Sequence, residues 1–524
     1  MKSALVLAAS SLVLGSARPP AGFGPTIESA RRNGPQIFNA IHNAMREFGS
    51  ALHHNGMSLF PAVIPEGVVL HHGTHTREVP KDLDWLAFEV EHAEAFARGR
   101  WRRPNDTDGE SHAEGGPPMP PPSESGPGYL HIYQAERPLH VLYIDGTSAG
   151  KSDLGTTDTQ DILLGGNKSR IPWDEWARAA NLCSLAEEWR LDGFIRMEPG
   201  FEIVHCDFTN GLRQVSANQR PSMDDPGETN NRLIASFEWA RAASERYDGI
   251  GSSRVLLDFS SVVSAFFYPI NLTNPDPKRP ELPRLLEASD EEMRIVKQHV
   301  GESIARSKSR QKAPVDWQGV TDMIVTRYSR RLLFIAQTDL ISVVRSEING
   351  VLDTYIDYSE TDDEFTAAKR RCTEFYLQPV HPETPEDHLI YAALENTTAI
   401  ICNALFDARQ LIVEESERDE SAAINATKQI VNELIGTLSW YEWKQCGKCQ
   451  PDEVCFIAMW PFGDVEDHYN PSCKNFSSVL GHGDYWGRPG KGPGKGPGKR
   501  PPPPPPLCMN GQDCGDGENR NEEL

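Results

Sequence analysis

At 524 residues and 38% hydrophobic content, the chain is too long for one core and apolar enough for globular ones, and domains of ~100–200 residues give two or three. Its 75 acidic residues against 52 basic ones leave a net charge of -23. A surface of that sign repels phosphate backbones, so no nucleic-acid partner is expected.

Lys2, the apolar run Ala4 to Leu14 and the small residues Gly15, Ser16 and Ala17 read as a signal peptide over 1–17. The run is shorter than the ~20 residues a bilayer span needs, and no later stretch reaches that length free of charges, so no transmembrane segment is expected. The expectation is therefore a secreted, extracellular protein. The ten cysteines and six N-x-[ST] acceptors, Asn105, Asn167, Asn271, Asn396, Asn425 and Asn475, fit an oxidising compartment and surface glycans.

Apolar spacing of three and four predicts a helix over Gln36 to Leu52. Val68 to His71 and Trp85 to Phe88 read as strands, and Glu91 to Arg98 as a helix. Residues 101–128, rich in Pro, Gly and Ser, read as a mobile insertion. Strands are expected over Tyr129 to Tyr133, Leu139 to Ile144, Gly193 to Arg196 and Phe201 to Phe208, with a helix over Trp173 to Arg190. Residues 18–275 thus read as an α+β domain built on a short-stranded mixed sheet with helices.

Prolines between Asn274 and Pro283 read as a linker. Beyond it, a capping box at Ser289 and Glu292 and helical periodicity through Trp440 predict a mainly α-helical bundle domain over 276–440. A Cys-rich segment follows over 441–486. The Gly/Pro/Lys repeats and six prolines of 487–524 read as a disordered tail able to touch acidic polymers or a cell wall.

In a secreted chain the cysteines read as disulfides rather than a metal site. The expected pairs are Cys183 with Cys206, Cys372 with Cys402, Cys508 with Cys514, and two bridges among Cys446, Cys449, Cys455 and Cys473. Gly146 to Ser152 follows a strand like a phosphate loop but is one residue short of that spacing, so it reads as a Gly-rich surface turn. His71, His72 and His75 lack an HExxH pattern, and no metal is expected there. Glu198, Glu202 and Asp207 leave a glycan-directed hydrolase open.

His72-Gly73-Thr74 at a strand end resembles the first motif of the ADP-ribosyltransferases, in particular their poly(ADP-ribose) polymerase branch. Trp85-Leu86-Ala87 with Ala93, Ala95 and Phe96 is similar to the second motif, with Trp85 where the family has Tyr. Gly200 to Asp207 is similar to the strand that carries the family's glutamate. The resemblance implies NAD as cofactor, held by His72, Gly73 and Thr74. Trp85 would stack on nicotinamide and Glu202 would steady the oxocarbenium-like charge as it leaves. The stretches WLAFEVEHAEAFAR, GYLHIYQAERPLHVLYIDG and DEVCFIAMWPFG also resemble large secreted proteins of filamentous fungi with no assigned activity. The rival expectation is a non-catalytic secreted or wall-associated binding protein.

Overall fold

The computed structural model describes residues 22–97, 128–165, 175–220, 237–246, 254–359, 364–415, 419–479 and 484–486. The signal peptide, the insertion after Ala97, Asn105, Asn167, Cys508, Cys514 and the Gly/Pro/Lys tail lie outside them.

The chain opens on helices α1 (Ile27–Arg32), α2 (Gly34–His42) and α3 (Glu47–Leu52). The single helix expected over Gln36 to Leu52 is broken because Met45 takes φ 57, a left-handed conformation. Its N–H then donates to the buried Tyr143 hydroxyl at 3.3 Å.

Strands β1 (Ser58–Ile64), β2 (Val69–Thr74) and β3 (Asp84–Ala87) lead into helix α4 (Val90–Ala97). Strands β4 (Tyr129–Ala135) and β5 (Leu139–Ile144) precede helices α5 (Asp158–Leu163) and α6 (Glu175–Trp189). A hairpin, β6 (Gly193–Glu198) with β7 (Gly200–His205), is followed by β8 (Leu212–Gln219) and the short β9 (Leu256–Leu257) and β10 (Val263–Ser264). These ten strands form one sheet in the order β10-β1-β5-β6-β7-β3-β2-β4-β8, with β9 also on β1. Only β5 and β6 run parallel, joined by the crossover through α5 and α6.

Pro61 lies inside β1. Its carbonyl accepts from Asp258 N, in the gap where β9 ends and β10 has not begun. A strand residue points its N and O to the same side, so the missing proline donor faces that gap and no ladder bond is lost.

The second half is helical: α7 (Asp290–Ser309), α8 (Trp317–Gln337), α9 (Ile341–Leu352), α10 (Glu364–Glu374), α11 (Pro385–Gln410) and α12 (Glu420–Leu438). The capping box expected at Ser289 and Glu292 is present. A small hairpin, β11 (Glu453–Phe456) with β12 (Ser472–Asn475), closes the described chain. Disulfides join Cys183 to Cys206, Cys372 to Cys402, Cys446 to Cys455 and Cys449 to Cys473.

The separate domains expected on either side of residue 275, and at 441, are one compact unit up to Gly487. One large core runs from Phe38 and Ile41 through Ile203 to Ile348, Leu394 and Trp440. The proline stretch that read as a linker is pinned instead. Asn274 donates to Arg279 O, and Arg284 meets both Asp158 oxygens, at 2.8 and 3.3 Å. α11 is long and apolar enough to cross a membrane, but most of that stretch is buried inside the protein, as in a central core helix.

A charged staple ties the two halves. His42 on α2 lies 2.8 Å from Asp322 on α8 and 2.6 Å from Glu442, and Arg46 forks onto Asp322 at 2.8 and 2.7 Å. Burial works to lower the His42 pKa, but the hydrogen bonds to Asp322 and Glu442 outweigh it, and the net shift is upward. Burial works to raise Asp322, while His42 and Arg46 bring it down to about 2. A raised histidine stabilises fully below its unfolded pKa of ~6.5 and stops doing so as pH rises through the folded value. The stability advantage of the native protein over His42→Gln should therefore shrink as pH rises above about 6.5. Urea unfolding of both proteins across that range checks it; a constant or growing advantage rejects the staple.

Candidate functional site

The β6–β7 hairpin carries charges at alternate positions. Arg196 pairs across the ladder with Glu202, and Glu198 follows Arg196 by two, so all three project to one face. The α5–α6 crossover lays Gln160 and Glu175 over that face, and the loop after β5 adds Lys151.

Arg196, 1% exposed, is the hub. One guanidinium nitrogen binds Glu202 Oε1 at 2.6 Å and also Glu175 Oε1; the other reaches Gln160 Oε1 at 3.3 Å. Lys151 Nζ lies 3.5 Å from Glu175 and 4.0 Å from Glu198, over the Trp460 ring at 4.7 Å. His92 on α4 approaches Glu198 Oε1 with Nε2 at 3.4 Å and stacks on Trp239. Burial pushes Glu175 up, but Arg196 and Lys151 overcome it and hold the group below the usual range. Burial pushes Glu202 up as well; Arg196 opposes this only in part, since Glu198 and Glu175 add like charge, and the net shift is upward.

The Gly146–Ser152 segment is thus no surface turn. Asp145 to Lys151 is buried, and the Lys151 charge is spent on carboxylates rather than left for a phosphate. Asp207, the third acidic residue considered for hydrolysis, caps Thr209 in an exposed turn instead.

The residues expected to hold NAD are divided by the sheet. β2 and β3 share one register pair, His71 with Ala87, and β3 pairs Ala87 with Glu202. Strand alternation then puts Gly73, Trp85 and Glu202 on one face and His72 on the other. His72 cannot hold a ligand that Glu202 touches. It donates from Nδ1 to Trp85 O at 2.7 Å and packs among His131 and Phe208, and burial pulls its pKa down to about 4. Gly73 lies under α4: a Cβ there would sit 1.9 Å from Ala93 O and 2.7 Å from Ala97 N. Close helix-on-strand packing explains that glycine without a ligand. Trp85 meets Trp176 edge to face at 4.6 Å.

The residues that sequence reading passed over here are Glu175, Arg196 and His92, while Lys151 was read as part of a surface turn. The signal was legible in part. Arg196, Glu198 and Glu202 are charges at even spacing on strands that are otherwise apolar.

A family model described as the YPL277C N-terminal domain matches residues 27–128 and 102–228, the stretch that holds β1 to β8 and every member of this cluster except Trp239 and Trp460. The chain is similar to the uncharacterized protein YOR389W of Saccharomyces cerevisiae, 27% identical over 535 residues, 83% of this chain and 83% of that protein. It is also similar to the uncharacterized protein YPL277C of the same yeast, 37% identical over 225 residues, which cover 37% of this chain and 46% of that protein. No solved structure matches it.

Proposed function

We propose that the chain is a secreted glycoprotein, with residues 1–17 as its signal peptide. The observation that carries the reading is the cysteine pairing: all eight described cysteines are in disulfides, which persist in oxidising compartments and are rare in the cytosol. Among the glycan acceptors, Asn271, Asn425 and Asn475 are exposed. Asn396 is different. It sits on α11 and donates from its amide to Arg31 O at 3.0 Å, against α1. A glycan there would have to displace α1.

The test is expression of the full chain in a yeast host, with the medium and the cells assayed separately. The protein is expected in the medium, with its mobility changed by N-glycosidase. Asn271→Gln, Asn425→Gln and Asn475→Gln should each remove one glycan, and Asn396→Gln none. Retention in the cells with reduced thiols and no glycan would reject the reading.

One observation favours a second reading, an ADP-ribosyltransferase-like NAD site. Gly73, Trp85 and Glu202 come from distant stretches of chain onto one face of three adjacent strands, and β2 and β3 part beyond His71 and Ala87. Nicotinamide release from NAD by the native protein, lost in Glu202→Gln, would favour that reading. Equal release from both proteins removes Glu202 from it.

A further inference from the structure

We infer that His92, Glu198 and Glu202 form a binding site for one divalent transition-metal ion, with zinc as the reference ion. The inference does not depend on the compartment or on the NAD reading. One ligand atom from each residue lies within 4.8 Å of the other two, and all three residues are buried. The fold brings them together: α4 follows directly from β3, and β3 pairs with β7 beside the β6–β7 hairpin.

The two carboxylates are divided in a way that suits a metal. Arg196 takes Oε1 of Glu202, and Lys151 faces Oε2 of Glu198. The second oxygen of each is left, and on Glu198 it is the one turned toward His92 Nε2. Carboxylates whose outer oxygens are fixed by neighbours are oriented ligands.

A separate residue agrees with a cation bound here. Glu47 on α3 is 1% exposed, and neither of its oxygens makes a hydrogen bond of ordinary geometry. Burial and then the charge of Glu198 raise its pKa well above the usual range, so it lies in the field of this cluster, near Gly200. A carboxyl buried without a partner is costly, and a cation bound at the neighbouring Glu198 would relieve that cost. The donor set of one imidazole and two carboxylates fits zinc and its first-row neighbours, and disfavours calcium and magnesium, which take oxygen ligands.

The test uses the full chain, stripped with chelator and dialysed against zinc, with calcium and magnesium in excess. About one zinc per chain is expected to remain bound. His92→Gln and Glu198→Gln, with circular dichroism matched to the native protein, should weaken binding by about tenfold or more. Cobalt added to the native protein provides a readout that needs no variant: N/O-ligated cobalt should give visible d–d absorption, displaced by zinc. Zinc retention unchanged in both variants, or a native protein without bound zinc and without cobalt bands, overturns the inference.

Discussion

Arg196→Met is expected to be the most damaging single change in the sheet, at a cost of about 3–5 kcal/mol. The native guanidinium binds Glu175 and Glu202 with one nitrogen and Gln160 with the other, at 1% exposure. Methionine fills most of the volume, so a cavity contributes little. What remains is two buried carboxylates facing Glu198, with Lys151 and, beside Glu175, Arg178 as nearby cations. They must either take up protons or draw in water, and both weaken the hairpin against α6. Arg196→Lys keeps the charge but cannot serve three acceptors from a planar fork, so its loss should be smaller. Urea unfolding followed by tryptophan fluorescence reads both variants. A loss below about 1 kcal/mol for the methionine variant would mean that solvent reaches the cluster and that the ion pairs are of surface strength. The metal inference makes a further demand on the same experiment. Added zinc should stabilise the native protein more than the arginine variant, because Arg196 orients Glu202.

Much of the fold could be read from the residues, for physical reasons that also explain the failures. β2 to β7 were legible because their apolar residues alternate between turn signals. β1 was not, because Pro61 counts against a central strand unless the interruption between β9 and β10 is known. β8 was missed because it is a polar edge strand, with exposed Arg213, Val215 and Gln219 and little apolar pattern. The long helices α7 to α12 announced themselves by periodicity and caps. The same proline and cysteine signals that read as domain boundaries turned out to be packed structure, since composition carries no information about what a segment touches.

The candidate site shows that limit most clearly. Trp85 and Glu202 were placed on the correct strands, His72 and Gly73 at the end of a strand that in fact runs on through Thr74, and the strands are neighbours. Which side chains meet depends on register, and one residue of register moves a whole strand's side chains to the other face. The pairs His71 with Ala87 and Ala87 with Glu202 fix that choice, and neither can be read from the sequence. His72 therefore falls among His131 and Phe208, while its neighbour Gly73 shares a face with Glu202.

That neighbour supports the last expectation, which separates packing from ligand binding at the HGT motif. Gly73→Ala should destabilise the protein by about 1–3 kcal/mol, or more if α4 cannot shift. The added methyl would meet backbone, Ala93 O at 1.9 Å and Ala97 N at 2.7 Å, and backbone cannot rotate away as a side-chain tip can. Relief requires α4 to lift from the strand, which uncovers Ala87, Ala93, Ala97 and Leu130, the small apolar cluster that the helix forms with the sheet. Since α4 also carries His92, the same movement would draw that ring away from Glu198. His75→Ala, two residues on and exposed, is the control and should stay within about 0.5 kcal/mol of the native protein. Urea unfolding gives the energies, and faster cleavage within residues 90–97 under limited proteolysis shows whether α4 is the element that yields. If Gly73→Ala unfolds like the native protein and resists protease equally, close packing is not what the glycine provides. The open edge between β2 and β3 would then be the place to look for a bound ligand.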